Sequence, residues 1–188
     1  MARVLARYSC MRYYIFMNHP DRNRPVDRLA AAERAHNRAT GGAGMGDIAI
    51  YILMRSCNVM MTERLGRLLE PHDLTSLGYI TMMALYSRAE NLANPSELSD
   101  ATGETRGNMT RICDELVDKG WMRRVPNAED RRRVDLSLSE SGMALLKRLA
   151  PQLRQNADAF YKRSFSKTEK ATLQQLLTQF SAALAGEL

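Results

Sequence analysis

The strongest pattern in the chain is a helical recurrence of apolar positions that begins near residue 47. Ile50, Met54, Cys57, Met61, Leu65 and Leu68 follow at steps of four, three, four, four and three, which puts them on one buried face of a helix that stops at Glu70-Pro71. A second apolar run, Leu77 to Leu85, predicts a helix closing around Arg88. Asn94-Pro95-Ser96-Glu97 then combines a cap residue, a proline at the first helical position and a carboxylate at the third, so a short third helix starts there and Gly103 stops it. Thr105 caps a fourth, striped by Met109, Ile112 and Leu116 and closed at Lys119-Gly120. Trp121–Val125 and Val134–Leu138 read as two short strands. Ser139 caps a fifth helix striped by Leu146, Leu149, Leu153, Ala157 and Phe160, which Pro151 should bend or divide. Ser166-Lys167-Thr168-Glu169 is a capping box that opens a last helix striped by Leu173, Leu176, Phe180 and Leu184.

Two short helices joined by a glycine turn and followed by a two-stranded loop make a helix-turn-helix with a wing. With Met109, Ile112 and Leu116 facing inward, Arg106, Gly107, Thr110 and Arg111 face outward, and Asn108 lies on the flank. These side chains suit a DNA major groove: arginine reads guanine through two hydrogen bonds, asparagine reads adenine, and threonine reaches a base edge or a phosphate. Gly107 removes bulk where the helix must approach closely, and the acidic Asp114, Glu115 and Asp118 come later in the helix. On the wing, Arg131, Arg132 and Arg133 follow Asp130. Such a loop can place an arginine in the electronegative minor groove, with the carboxylate fixing its orientation. In isolation the wing arginines would read as a solvated turn, whereas each recognition-helix residue taken singly would read equally well as plain polar surface.

Charge sharpens this picture more than composition does. The 188 residues are 45% hydrophobic, enough for one well-buried domain, with a net charge of +6 and a pI near 9.5. Segment by segment, residues 1–38 carry +5, 46–104 carry −4, 105–133 carry +3 and 134–188 carry +2. Positive charge is therefore concentrated in an N-terminal tail and in the winged segment, as phosphate contact requires. Residues 1–46 read as a basic extension with a short helix at Val26–Arg38 and a glycine-rich linker, Gly41 to Gly46. The remainder, 47–188, divides into a winged helix-turn-helix at about 75–139 and flanking helices at about 47–70 and 140–185.

Three separated cysteines, Cys10, Cys57 and Cys113, indicate neither a disulfide framework nor a zinc site, and a reducing cytoplasm is expected. The longest apolar run of the body, Ile48–Met54, is far too short to span a bilayer, so no membrane partner is expected. Histidines occur only at positions 19, 36 and 72, and no metal spacing, phosphate loop or nucleophile elbow appears. Neither an enzyme nor a cofactor is expected.

Pro95 through Leu146 resembles the DNA-binding lobe of the MarR family of bacterial regulators. The stretch from Asp130 to Ser139 matches that family's D-x-R-x-x-x-x-x-L-T wing signature, with Ser139 in place of threonine. Pro95-Ser96-Glu97-Leu98-Ser99 and Asp114-Glu115-Leu116-Val117-Asp118-Lys119-Gly120-Trp121 add to the likeness, which is nearest to the repressors of the Emr multidrug-efflux operon. The resemblance implies a mainly α fold with a small β wing: a winged helix-turn-helix plus a helical dimerisation region. It further implies a homodimeric repressor of a palindromic operator in double-stranded DNA. Arg106, Asn108 and Arg111 would read the major groove, and Arg132, held by Asp130, the minor groove. The segment 1–46 is not explained by it.

Members of the family often respond to small aromatic or lipophilic effectors. Here Tyr51, Arg55, Asn58 and Thr62 form a polar stripe on the first helix, and Tyr79, Met82, Met83 and Tyr86 lie on the methionine-rich second. An expected effector pocket uses Tyr51, Arg55, Asn58, Tyr79 and Met83, with Arg55 for a carboxylate and methionine for an adaptable wall. On the residues alone, a solvated or dimer-facing stripe is the favoured reading. Two alternatives to the ligand-released repressor are a thiol-based redox sensor and a winged protein-interaction module. Cys57 on the buried stripe and Cys113 beside the core, neither with an evident electropositive neighbour, read as structural thiols.

Overall fold

The computed structural model describes residues 25–42, 46, 48–88, 90–127 and 134–186, with side chains from residue 30 onward. The chain divides into two compact units, residues 1–72 and 73–188. The fold is mainly α with one small sheet.

The first unit holds helix α1 (Pro25–Thr40) and helix α2 (Ile48–Leu69), followed by a single 3-10 turn at Glu70–His72. Ala32 of α1 and Ile52 of α2 are fully buried together, with Ala49 packed against them. This corrects the expected inner face of α2. Ile52 and Ser56 are buried, whereas Ile50 and Met61 are more than half exposed and Cys57 is exposed. The physical reason is that α2 is apolar on several sides, with Ile48, Tyr51, Leu53 and Met60 also exposed, so periodicity alone does not choose the side that α1 covers.

In the second unit, α3 (Ser76–Tyr86) is capped by Thr75, whose hydroxyl accepts the Gly78 amide at 3.0 Å. A two-residue strand β1 (Leu92–Ala93) precedes α4 (Pro95–Thr102). The start of α4 is a full capping box: Asn94 Oδ1 accepts the Glu97 amide, and Glu97 accepts the Asn94 amide. Gly103 ends α4 at φ +74°, a left-handed turn that a side chain would oppose, and it redirects the chain into α5 (Arg106–Asp118).

Strands β2 (Met122–Pro126) and β3 (Val134–Leu138) pair antiparallel from Met122 opposite Leu138 to Pro126 opposite Val134. β1 adds to the other edge of β3, giving the order β1-β3-β2. The core of this unit gathers Leu85, Leu98, Met109, Leu116, Leu146 and Leu149, each almost wholly out of solvent. Burial of each such side chain contributes roughly 1.5–3 kcal/mol, enough to hold the two short helices of the motif against each other.

Helix α6 (Glu140–Ser164) and helix α7 (Lys167–Ala185) complete the unit. Pro151 does not divide α6, which continues as α-helix through it. The proline removes only one backbone donor, and its neighbours Leu146 and Leu149 anchor the preceding turns in the core. Farther along, the expected stripe thins: Leu153 and Phe160 are half-buried and Ala157 is exposed. The first turn of α6 is bonded to the end of α5. Ser139 and Ser141 hydroxyls both donate to the Gly120 carbonyl, at 2.6 and 2.7 Å, and the Ser139 amide donates to the Trp121 carbonyl. Gly142 is buried against that same carbonyl, and a Cβ there would lie 2.0 Å from the Trp121 oxygen. Only glycine permits this approach.

Candidate nucleic-acid interface

Helix α5 is amphipathic by construction. Met109, Ile112, Cys113 and Leu116 are buried, and the Thr81 hydroxyl of α3 donates to Met109 Sδ at 3.8 Å. With that side committed, Arg106, Gly107, Thr110 and Arg111 emerge together on the solvent face. The structure thus brings the expected major-groove group together at the amino-terminal half of one helix, where the helix dipole is positive. Thr105 Oγ1 accepts the Asn108 amide at 3.3 Å as the N-cap, and the Thr110 hydroxyl donates to the Arg106 carbonyl at 3.0 Å. A Cβ at Gly107 would meet nothing within 4 Å, so the protein's own packing does not require glycine there.

Asn108 is half-buried, and both ends of its amide are engaged. Its Nδ2 donates to Glu104 at 2.8 Å, and its Oδ1 accepts from Arg111 Nη2 at 3.2 Å. Arg111 also stands 3.7 Å from Glu115, which in turn pairs with Lys119 at 3.1 Å. Lys119 Nζ reaches Asp73, donating to its carbonyl at 2.7 Å and its carboxylate at 3.1 Å, and sits 5.4 Å from the Trp121 ring centre. Desolvation pulls the Lys119 ammonium down, but bonds to Glu115 and Asp73 and the charge of both outweigh it and raise its pKa.

Arg124 on β2 bonds Asp114 of α5 at 2.5 Å, tying the sheet to the helix. Arg124 is also the electropositive neighbour of Cys113 that the linear sequence does not reveal. Desolvation raises the buried Cys113 thiol to about 11; Asp114 adds to the rise and Arg124 opposes it. A thiol held protonated in this way is inert. Asp130, Arg131 and Arg132, the expected wing residues, lie outside the described residues, as does Arg133. Asn127 and Asp135 flank that segment and bond side chain to side chain at 2.7 Å.

Of the expected effector residues, Tyr51, Arg55 and Asn58 belong to the first unit and Tyr79 and Met83 to the second. Tyr51 and Asn58 are exposed and Arg55 is half-buried, with the Thr62 hydroxyl donating to the Asn58 carbonyl. Tyr79 is half-buried, and desolvation raises its phenol. Met83 lines a groove of about 770 Å³ between α3 and α6, together with Tyr86, Leu146, Lys147, Pro151 and Arg154. Lys147 and Arg154 are cations that the sequence reading did not connect with Met83; their i, i+7 spacing on one helix face was the available signal. Among the described residues no helix is long and apolar enough to cross a membrane.

Comparison with known proteins is consistent with this geometry. The sequence model of the MarR family matches residues 72–133. The transcriptional repressor MprA of Escherichia coli K12 is 31% identical over 136 residues, covering 71% of this chain and 77% of that protein. The multiple antibiotic resistance protein MarR of the same strain is 29% identical over 125 residues, covering 66% and 85%. A solved structure of a mutant MarR from E. coli complexed with operator DNA superposes with a TM-score of 0.63 at 26% identity, covering 77% of this chain and 96% of that one.

Proposed function

The chain belongs to the MarR family, and from that premise we propose that it is a transcriptional repressor that binds a palindromic operator in double-stranded DNA as a homodimer. The observation that carries this reading is the outward face of α5. Arg106, Gly107, Thr110 and Arg111 are exposed side by side at the positive end of a helix whose other face is locked into the core. Support also comes from the relative solved in complex with operator DNA. Each dimer lays two such helices into successive major grooves, so the operator half-sites stand about one helical turn apart. Arg111 reads a base edge, Arg106 and Thr110 contact base or phosphate, and Gly107 lets the helix sit deep. Arg132, oriented by Asp130, enters the neighbouring minor groove, with Arg131 near the phosphates. The protein works in the cytoplasm, and no enzymatic step is required of it.

Release from DNA follows binding of a small aromatic or lipophilic effector, in our reading at the groove that Met83 lines within the second unit. What supports an aromatic compound is the combination of Met83 and Tyr86 around one groove, with Lys147 available to a carboxylate and Arg154 offset by Asp158, 3.7 Å away.

The test is selection of a randomised duplex pool by the purified protein, followed by salt-titrated binding of the enriched sequence with and without benzoate. A palindromic consensus and a steep salt dependence are expected. Arg111→Ala should erase preference at one base position per half-site, at a cost of about 1–3 kcal/mol. Enrichment of no sequence would overturn the regulator reading, and unchanged affinity with benzoate would count against an aromatic carboxylate as effector.

A further inference from the structure

Along one edge of α5 the side chains at 104, 108, 111, 115 and 119 form a continuous series of hydrogen bonds and ion pairs. Its first member stands outside the DNA-facing group. Glu104 lies in the turn before α5, where its carbonyl accepts a 2.5 Å hydrogen bond from the Ser99 hydroxyl, and Ser99 is buried on α4. The backbone of Glu104 is therefore fixed by the preceding helix. Its carboxylate can only accept, so the group of Asn108 that faces it at 2.8 Å must be the amide nitrogen. That orientation leaves Asn108 Oδ1 on the opposite side, where it accepts from Arg111 Nη2 at 3.2 Å. With the amide turned the other way, a donor would face the guanidinium and the bond would be lost.

We propose that Glu104 is a specificity-positioning residue, which fixes the Asn108 amide so that Asn108 holds the Arg111 guanidinium in its base-reading position. The inference rests on the DNA-binding reading of α5 and deepens it. A bidentate contact to adenine needs both ends of an asparagine amide, and both ends of Asn108 are already engaged. Each end of that amide keeps one further N–H or lone pair, and the role assigned to Asn108 is to position Arg111. Arg111 is held from two sides, by Asn108 and by Glu115, while most of its side chain stays exposed toward the groove.

The experiment repeats the randomised-duplex selection with wild type, Arg111→Ala, Glu104→Ala, Glu104→Gln and Asn108→Ala, with thermal unfolding of each variant alongside. Glu104→Ala should lower the base preference at the one position lost in Arg111→Ala by about tenfold, within the span of a single bidentate contact, and leave the other positions intact. Glu104→Gln keeps an acceptor oxygen but adds a donor, so either orientation of the Asn108 amide can be met and the preference should be recovered only in part. Both Glu104 variants remove an anion near the phosphates, so overall affinity rises in both and only the preference ratio separates them. Asn108→Ala should reproduce Glu104→Ala. The proposal is overturned if Glu104→Ala keeps the Arg111 position within about twofold, if all positions weaken together, or if Asn108→Ala erases a separate adenine position. If wild type enriches no sequence, the DNA-binding reading fails first and this inference with it. Should Glu104→Ala not fold, the Glu104→Gln and Asn108→Ala results decide the matter.

Discussion

Cys113 shows how a single side chain writes itself into the stability of the unit. Burial raises its thiol from an ordinary 9.0 to about 11, with Asp114 adding to the rise and Arg124 opposing it. Because the folded pKa lies above the unfolded one, the stabilising contribution is complete below about pH 9. It is lost as pH rises toward 11, when the unfolded chain can release a proton that the folded one retains. The slope is at most about 1.4 kcal/mol per pH unit. Cys113→Ala leaves a void whose cost does not depend on pH, so urea unfolding of both proteins should show the gap between them narrowing through that alkaline window. A gap of constant size would mean that the thiol ionises as freely folded as unfolded. At this same scale Asn108 marks a limit of sequence reading: its place beside the groove-facing residues was legible, but its engagement with Glu104 and Arg111 depends on rotamers that the linear sequence does not state.

Elements defined by their own neighbours were legible in advance, and those defined by distant partners were not. Both capping boxes, at Asn94 and Ser166, are signalled within four residues, as is the left-handed stop at Gly103. Strand β1 was missed because two residues carry no period, and its partners Leu136 and Ser137 lie more than forty positions away in sequence. The covered face of α2 was misassigned for a related reason: an apolar helix advertises several faces, and only packing against α1 selects one. Gly142 belongs with these nonlocal features. In Gly142→Ala, the new methyl would meet the Trp121 carbonyl oxygen, carbon and Cα at 2.0, 2.9 and 3.1 Å, all backbone atoms. The expected loss is about 1–3 kcal/mol or more in chemical denaturation. Gly107→Ala, with open space around it, should gain up to about 1 kcal/mol by raising helix propensity. Equal effects at the two sites would mean that the start of α6 can yield.

For the molecule as a whole, the conspicuous feature is apolar surface left uncovered by the single chain. Leu176 is 57% exposed and Leu184 74%, with Leu177 and Phe180 between them on α7; Ile50, Tyr51 and Met61 are similarly bare on α2. Large apolar side chains left exposed at helical spacing along one helix, as on α7, belong to association surfaces. Leu176→Asp combined with Phe180→Asp should convert a dimer to a monomer in sedimentation analysis and weaken operator binding far more than either charge would by repulsion alone; an unchanged sedimentation coefficient would place the association surface elsewhere. The serine bonds to Gly120 and the bare Gly142 contact give this surface a mechanical meaning. Because α6 is bonded at its base to the turn that follows α5, its 25 residues, about 37 Å of helix, form a long arm joined directly to that helix's end. In a dimer joined through the far ends of two such helices, a change in the angle between them would be passed through this joint to the two α5 helices.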